Sequence, residues 1–138
     1  MTIQEINHIC KNTFVEFLEI EFTNFGDNFI EARMPVKQNK LQPMGVLHGG
    51  VSLALAETVG SAGSIILTDQ TKYDVLGLQV TGNHVSTVRS GDLVARAEII
   101  HKGTTTHVWD VKISSTVENK LVSIARVTNI IIEKKQTH

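Results

Sequence analysis

A single cysteine, Cys10, stands among 138 residues. No disulfide can form within the chain, and no Cys cluster can hold zinc. The shortage fits a reducing compartment. Basic runs are equally scarce: 13 Lys and Arg face 14 Asp and Glu, for a formal charge of −1, and no run exceeds Lys134-Lys135. A nucleic-acid backbone requires a concentrated basic face, so no nucleic-acid partner is expected. Scattered cations could still hold one nucleotide-like ligand. No stretch is read as approaching the roughly 20 apolar residues that cross a bilayer. Residues 1–12 carry Glu5, Asn7 and His8 inside their apolar pattern, unlike a signal peptide. The expectation is a cytoplasmic protein with no membrane partner. Proline occurs only at Pro35 and Pro43, and no repeat or low-complexity linker interrupts the chain. Residues 1–138 are read as one domain.

What is present is an ordinary globular balance, 41% hydrophobic and 20% charged. Ile3, Ile6 and Ile9 or Cys10 recur at helical spacing, and Phe14, Phe17 and Leu18 suggest a further turn. Two strand-like runs, 19–25 and 28–36, flank a Gly26-Asp27 turn. A polar loop, 37–47, leads to residues 48–67, whose only charge is Glu57. This stretch reads as a buried helix. From Tyr73 the period changes to two, giving strands over 75–86, 93–101, 107–116 and 121–132. The order predicts an α+β fold: a six-stranded antiparallel sheet wrapped around one long central helix, the hotdog architecture.

On a wheel of about 100° per residue, Val51, Leu55, Val59, Ala62 and Ile66 form an apolar stripe. Gly50, Ala54, Glu57, Ser61 and Ser64 fall opposite. A carboxylate on a buried helix calls for a partner or a purpose; taken alone, Glu57 could pair with a Lys or Arg or reach solvent. His48-Gly49-Gly50 opens the helix, where unpaired amides and the positive end of the dipole can polarise a carbonyl. Tight helix–sheet packing would explain the same glycines. His48 and Glu57 are nine residues apart, about 900° of rotation and 13 Å of rise. If both act on one group, they come from two chains related by a two-fold axis. Ser61, one turn after Glu57, shares its face. His101 and His107 have no acidic or Cys neighbours, so no metal site is expected. Trp109 and Cys10 read as packing residues.

Gln42-Pro43-Met44-Gly45-Val46-Leu47-His48-Gly49-Gly50, followed by Leu55-Ala56-Glu57-Thr58-Val59-Gly60-Ser61, resembles hotdog thioesterases of the phenylacetate-degradation type. The similar branch carries Glu in the helix and includes 4-hydroxybenzoyl-CoA, 1,4-dihydroxy-2-naphthoyl-CoA and enterobactin-proofreading thioesterases. The likeness continues through Gly77-Leu78, Asn83-His84, residues 105–109 and residues 123–128, so it spans about 17–132.

The resemblance implies hydrolysis of an acyl-CoA or aroyl-CoA. Coenzyme A is then part of the substrate and no separate cofactor is required. Gly49 would offer its N–H to the thioester oxygen, and Gln42 and His48 would orient and polarise the carbonyl. Glu57 of the partner chain would be nucleophile or general base, and Ser61 would position the water or the carboxylate. Asn83 and His84 would lie near the acyl group or pantetheine arm. Lys102, Gly103, Thr104, Thr105 and Arg126 would lie near the CoA phosphates. The implied assembly is a homodimer as minimal active unit, extended to a homotetramer. Two positions depart from the pattern: Ser86 and Thr104 stand where relatives often carry Arg. Lys102 and Arg89 are near enough in sequence to compensate, or an acyl-carrier protein is the donor. A hotdog dehydratase or hydratase and a non-catalytic acyl-CoA-binding module are the competing readings.

Overall fold

The computed structural model describes residues 1–135. Its elements run α1 (Ile3–Ile9), α2 (Phe14–Phe17), β1 (Glu21–Phe25), β2 (Phe29–Pro35), α3 (Gly49–Leu67), β3 (Tyr73–His84), β4 (Asp92–Lys102), β5 (Thr106–Ser115) and β6 (Lys120–Glu133). One antiparallel sheet, in the order β1-β2-β4-β5-β6-β3, wraps α3. This is the expected hotdog arrangement.

Local chemistry sets the ends of these elements. Thr2 caps α1, accepting from the Glu5 N–H at 3.1 Å while Glu5 reaches back to the Thr2 N–H at 3.0 Å, the reciprocal box that satisfies two orphan amides. Asn7 on α1 bonds both the N–H and the carbonyl of Phe22, each at 2.9 Å, tying the helix to β1. Gly45 and Gly91 have φ of 80° and 85°, a left-handed backbone that glycine adopts without strain.

The alternation read from residue 73 onward places the core. Leu93, Ala95 and Ala97 of β4, Trp109, Val111 and Ile113 of β5, and Ala125 and Val127 of β6 all face α3 and are buried. β3 differs. It is an edge strand paired only with β6, and most of its residues are exposed, including Leu76 and Leu78 at 55% and 61%.

Two expectations for α3 need correction. Its buried side is Ser52, Leu55, Ala56, Val59, Gly60, Ala62, Gly63 and Ser64, while Val51 and Ile66 are only half-buried. Ser64, expected opposite the apolar stripe, is fully buried. The sheet approaches closest where α3 is smallest: a Cβ on Gly60 would meet Val127 at 3.0 Å, and one on Gly63 would meet Trp109 at 2.5 Å. Small residues mark this buried face, so an apolar wheel misses it. Also, α3 has 19 residues and a mean hydropathy of 1.5, long and apolar enough by composition to cross a membrane. The sequence reading that nothing approaches that length is therefore wrong. In the fold this helix packs against β2 to β6, and its apolar content serves the core.

Candidate active site

The loop before α3 is pinned at several points. The Gln42 N–H donates to Val46 O and the Gly45 N–H to Gln42 O, both at 2.8 Å. The Leu47 N–H donates to Val88 O at 2.8 Å, and the His48 N–H to Lys40 O at 2.9 Å. Arg89 Nη1 donates to Gly45 O at 3.1 Å. Lys40 itself is buried; its Nζ donates to Pro35 O at 2.8 Å and lies 3.6 Å from Glu19 Oε1. Burial pushes the Lys40 pKa down, against the opposing pull of Glu19.

This loop delivers His48 as the N-cap of α3. Its Nδ1 accepts from the Gly50 N–H at 2.8 Å, so a neutral His48 carries its proton on Nε2. Among the described residues no acceptor meets the Gly49 N–H. It stands at the positive end of a 19-residue helix.

The expected site residues fall into three neighbouring recesses. Gln42, Gly49 and His84 share one of about 340 Å³ with Ser52, Ser86 and Ser123. His84 Nδ1 is 2.8 Å from Ser123 Oγ, and a Cβ on Gly49 would sit 2.6 Å from His84 Nε2. The imidazole therefore lies against the Gly49 backbone. The Gln42 side-chain oxygen accepts from the Met44 N–H. His48 is not in this recess. It lines another of about 310 Å³ with Phe14, Lys40, Gly50 and Ala54.

Glu57 and Ser61 line the third, about 300 Å³, roofed by Ile6, Cys10, Phe14 and Phe22. Apart from Cys10, its polar side chains are Glu57, Thr58 and Ser61, all from one face of α3. Burial raises the Cys10 thiol pKa, which keeps it protonated and inert. Glu57 is half-buried, and among the described residues no Lys or Arg forms an ion pair with it. Its carboxylate lies against Gly77 of β3 so closely that any side chain there would collide with it. The register with β6 shifts between Gly77 and Gln79, at this point of the strand.

The remaining expected residues lie apart. Asn83 and His84 are consecutive on β3, so their side chains leave opposite faces of the sheet. Only His84 reaches the helix N-terminus. Residues 103–105 form the exposed turn between β4 and β5, beside Lys102 at the end of β4. Arg126 is on the outer face, bonded through Nε and Nη2 to Asp110 Oδ1 at 2.9 and 2.8 Å. Ser86 donates to Leu121 O, so its hydroxyl is already engaged. His101 is exposed, whereas His107 is buried against Ser64 Oγ at 2.9 Å.

Sequence reasoning missed Ser123, which orients His84. It also missed Asn129, which is fully buried and bonded to α3. A signal existed: Asn129 occupies the inward phase of β6, between Val127 and Ile131, where a polar residue needs partners.

A sheet rolled round one helix, with an amide at that helix's N-terminus and a carboxylate along it that both lack partners among the described residues, fits a hotdog enzyme of the acyl-transfer class. The comparisons make this specific. The chain belongs to the thioesterase superfamily, whose family model matches residues 44–122. A thioesterase from Pseudomonas aeruginosa superposes with a TM-score of 0.93 at 39% identity, covering 97% of this chain and 96% of that one. A thioesterase from Haemophilus influenzae gives 0.92 at 42% identity, covering 100% and 95%. The 1,4-dihydroxy-2-naphthoyl-CoA hydrolase of Escherichia coli is 34% identical over 96% of both chains.

Proposed function

We propose that this thioesterase hydrolyses an acyl-CoA or aroyl-CoA whose acyl group is apolar, at a site shared between two copies of the chain. The observation that carries the reading is Glu57, a half-buried carboxylate without a cationic partner among the described residues, at the polar wall of an otherwise apolar cavity.

Gly49 and Glu57 are eight residues apart on one helix, a rise of about 12 Å. One carbonyl cannot meet both within a chain. The exposed edge of β3, with Leu76 and Leu78 uncovered on either side of Gly77, supports a second copy at that edge. Such a pairing would bring the helix N-terminus of one chain to Glu57 of the other, with two equal sites. Ile124 and Ile132, exposed on the sheet's outer face, support a further contact between dimers, hence a tetramer.

In this site the Gly49 amide and the dipole of α3 stabilise the developing oxyanion, an effect worth about 10²–10³ in rate per donor. His48 Nε2–H and Gln42 assist in orienting the carbonyl. Water adds to the thioester carbon and its proton passes to Glu57. Collapse of the tetrahedral intermediate breaks the C–S bond, and Glu57 returns the proton to the departing thiolate. The products are the free acid and CoA. Lys102, Gly103, Thr104, Thr105 and Arg126 are the candidate groups for the CoA phosphates, with Asn83 at the outer edge of the same path.

The cavity beside Glu57 holds about 300 Å³ and offers a hydroxylated ring few partners away from α3. A buried hydroxyl without a partner costs about 1–3 kcal/mol, so unsubstituted benzoyl, phenylacetyl or medium-chain acyl groups are favoured over hydroxylated ones. A second donor is favoured by one observation: Ser86, where relatives often carry Arg, is engaged by Leu121 O and adds no charge for a phosphate. An acyl-carrier protein would depend less on such contacts.

The test is release of free thiol from benzoyl, 4-hydroxybenzoyl, phenylacetyl, dihydroxynaphthoyl and hexanoyl thioesters, on CoA and on carrier protein. The wild type is run beside Glu57→Ala. Turnover that falls by about 10³-fold in the variant is expected. CoA binding without turnover in a folded wild type would instead support a binding module, and hydration of an enoyl-CoA without thiol release would support a hydratase.

A further inference from the structure

The polar groups buried between α3 and the sheet have a fixed hydrogen-bond direction. Trp109 Nε1 can only donate, and it donates to Ser64 Oγ at 2.8 Å. Asn129 Nδ2 donates to the same oxygen at 2.9 Å and to Gly60 O at 3.1 Å. Both lone pairs of Ser64 are then used, so its proton goes to His107 Nδ1 at 2.9 Å. With both amide protons of Asn129 committed, its Oδ1 is the atom that faces Ser61. Ser61 Oγ donates to it at 3.4 Å.

Ser64, His107, Trp109 and Asn129 are buried at 2% exposure or less. Ser61 is half-buried and opens into the Glu57 cavity. The cross-strand neighbour of Asn129 is Gly77, the residue against which the Glu57 carboxylate rests. The bonded series therefore runs from the core to the side of the carboxylate.

We infer that Asn129 is a positioning residue: it draws the Ser61 proton away from the cavity, so that Ser61 can only accept there. A water between Ser61 and Glu57 then gives one hydrogen bond to each, and its lone pair is left for the thioester carbon. This favours attack by water, with Glu57 as base, over attack by Glu57 itself. The inference rests on the roles of Glu57 and Ser61 set out under Proposed function.

A double-mutant cycle on the full chain tests it, using the best thioester of the panel. Ser61→Ala and Asn129→Ala are each expected to lower kcat by about 10- to 100-fold, with KM changed less than about 3-fold. The double variant is expected to be within about 3-fold of the worse single variant, because both changes remove one device. Trp109→Phe deletes the donor that sets the direction of Ser64 while keeping a ring in place. It is expected to lower kcat several-fold, and to have no further effect in the Ser61→Ala background. It carries the cycle if Asn129→Ala fails to fold. Losses that multiply across the cycle would mean a merely structural Asn129 and would overturn the inference. An unchanged kcat in Ser61→Ala would also overturn it, while leaving Glu57 as the base. An active Glu57→Ala would overturn the role of Glu57 on which the inference rests, whereas a folded wild type that releases no thiol would bring down the hydrolase reading itself.

Discussion

At the scale of single residues, two kinds of group matter: those without partners among the described residues and those fully engaged. The Gly49 amide belongs to the first kind. A methyl group there would sit 2.6 Å from His84 Nε2 and push the imidazole aside. Gly49→Ala is expected to lower kcat/KM by about 10²-fold with an unchanged circular dichroism spectrum; a loss of fold would mean that the glycine serves packing alone. His107 belongs to the second kind. Burial, followed by the charges of Lys102 and His101, holds its pKa below the usual 6.5. Above 6.5 neither state binds the proton. Below it the unfolded chain protonates first, so stability falls as pH drops from about 6.5 toward the depressed native value. Urea midpoints between pH 7.5 and 5.0 should show this loss, and His107→Gln should flatten it. The glycine pair opening α3 and the one acid of its uncharged stretch stand out in the sequence because each is a local signal. Ser123 and Asn129 do not, because their roles arise from contacts between strands and helix far apart in sequence.

At the scale of elements, the alternating strands were legible to within about two residues, since β4, β5 and β6 each bury one face. β3 was found by period although it buries little of either face, which is the property that supports a second copy. The central helix was found, but its buried side was misjudged. Hydrophobicity locates a face that meets large side chains; here the sheet comes close enough to select Gly60, Gly63 and Ser64 instead. Gly63→Ala is expected to destabilise by about 1–3 kcal/mol, because Trp109 lies 2.5 Å from the added carbon. A shift of the urea midpoint at constant m-value would show it. An unshifted midpoint would mean that Trp109 gives way freely. The N-terminal segment, read as a short amphipathic helix and a further turn, roofs the Glu57 cavity through Ile6, Cys10 and Phe14. Amphipathic spacing predicts that a face is buried; it does not say that a cavity lies beneath it.

At the scale of the whole molecule, each site is proposed to take its oxyanion end from one chain and its carboxylate from another. The opposed placement of His48 and Glu57 was already visible in their nine-residue spacing; the Gly49 amide and the Glu57 acid, both without partners among the described residues, and the bare β3 edge give it a physical setting. The most direct measurement mixes two inactive proteins, His48→Ala with Gly49→Ala on one chain and Glu57→Ala on the other, unfolded together and refolded at equal amounts. Random pairing makes half the dimers mixed, and each mixed dimer has one intact site and one doubly damaged site. A return to about one quarter of wild-type turnover is expected. No recovery, in a sample where mixed dimers are shown to form, would mean that both ends act within a single chain, and would contradict the account.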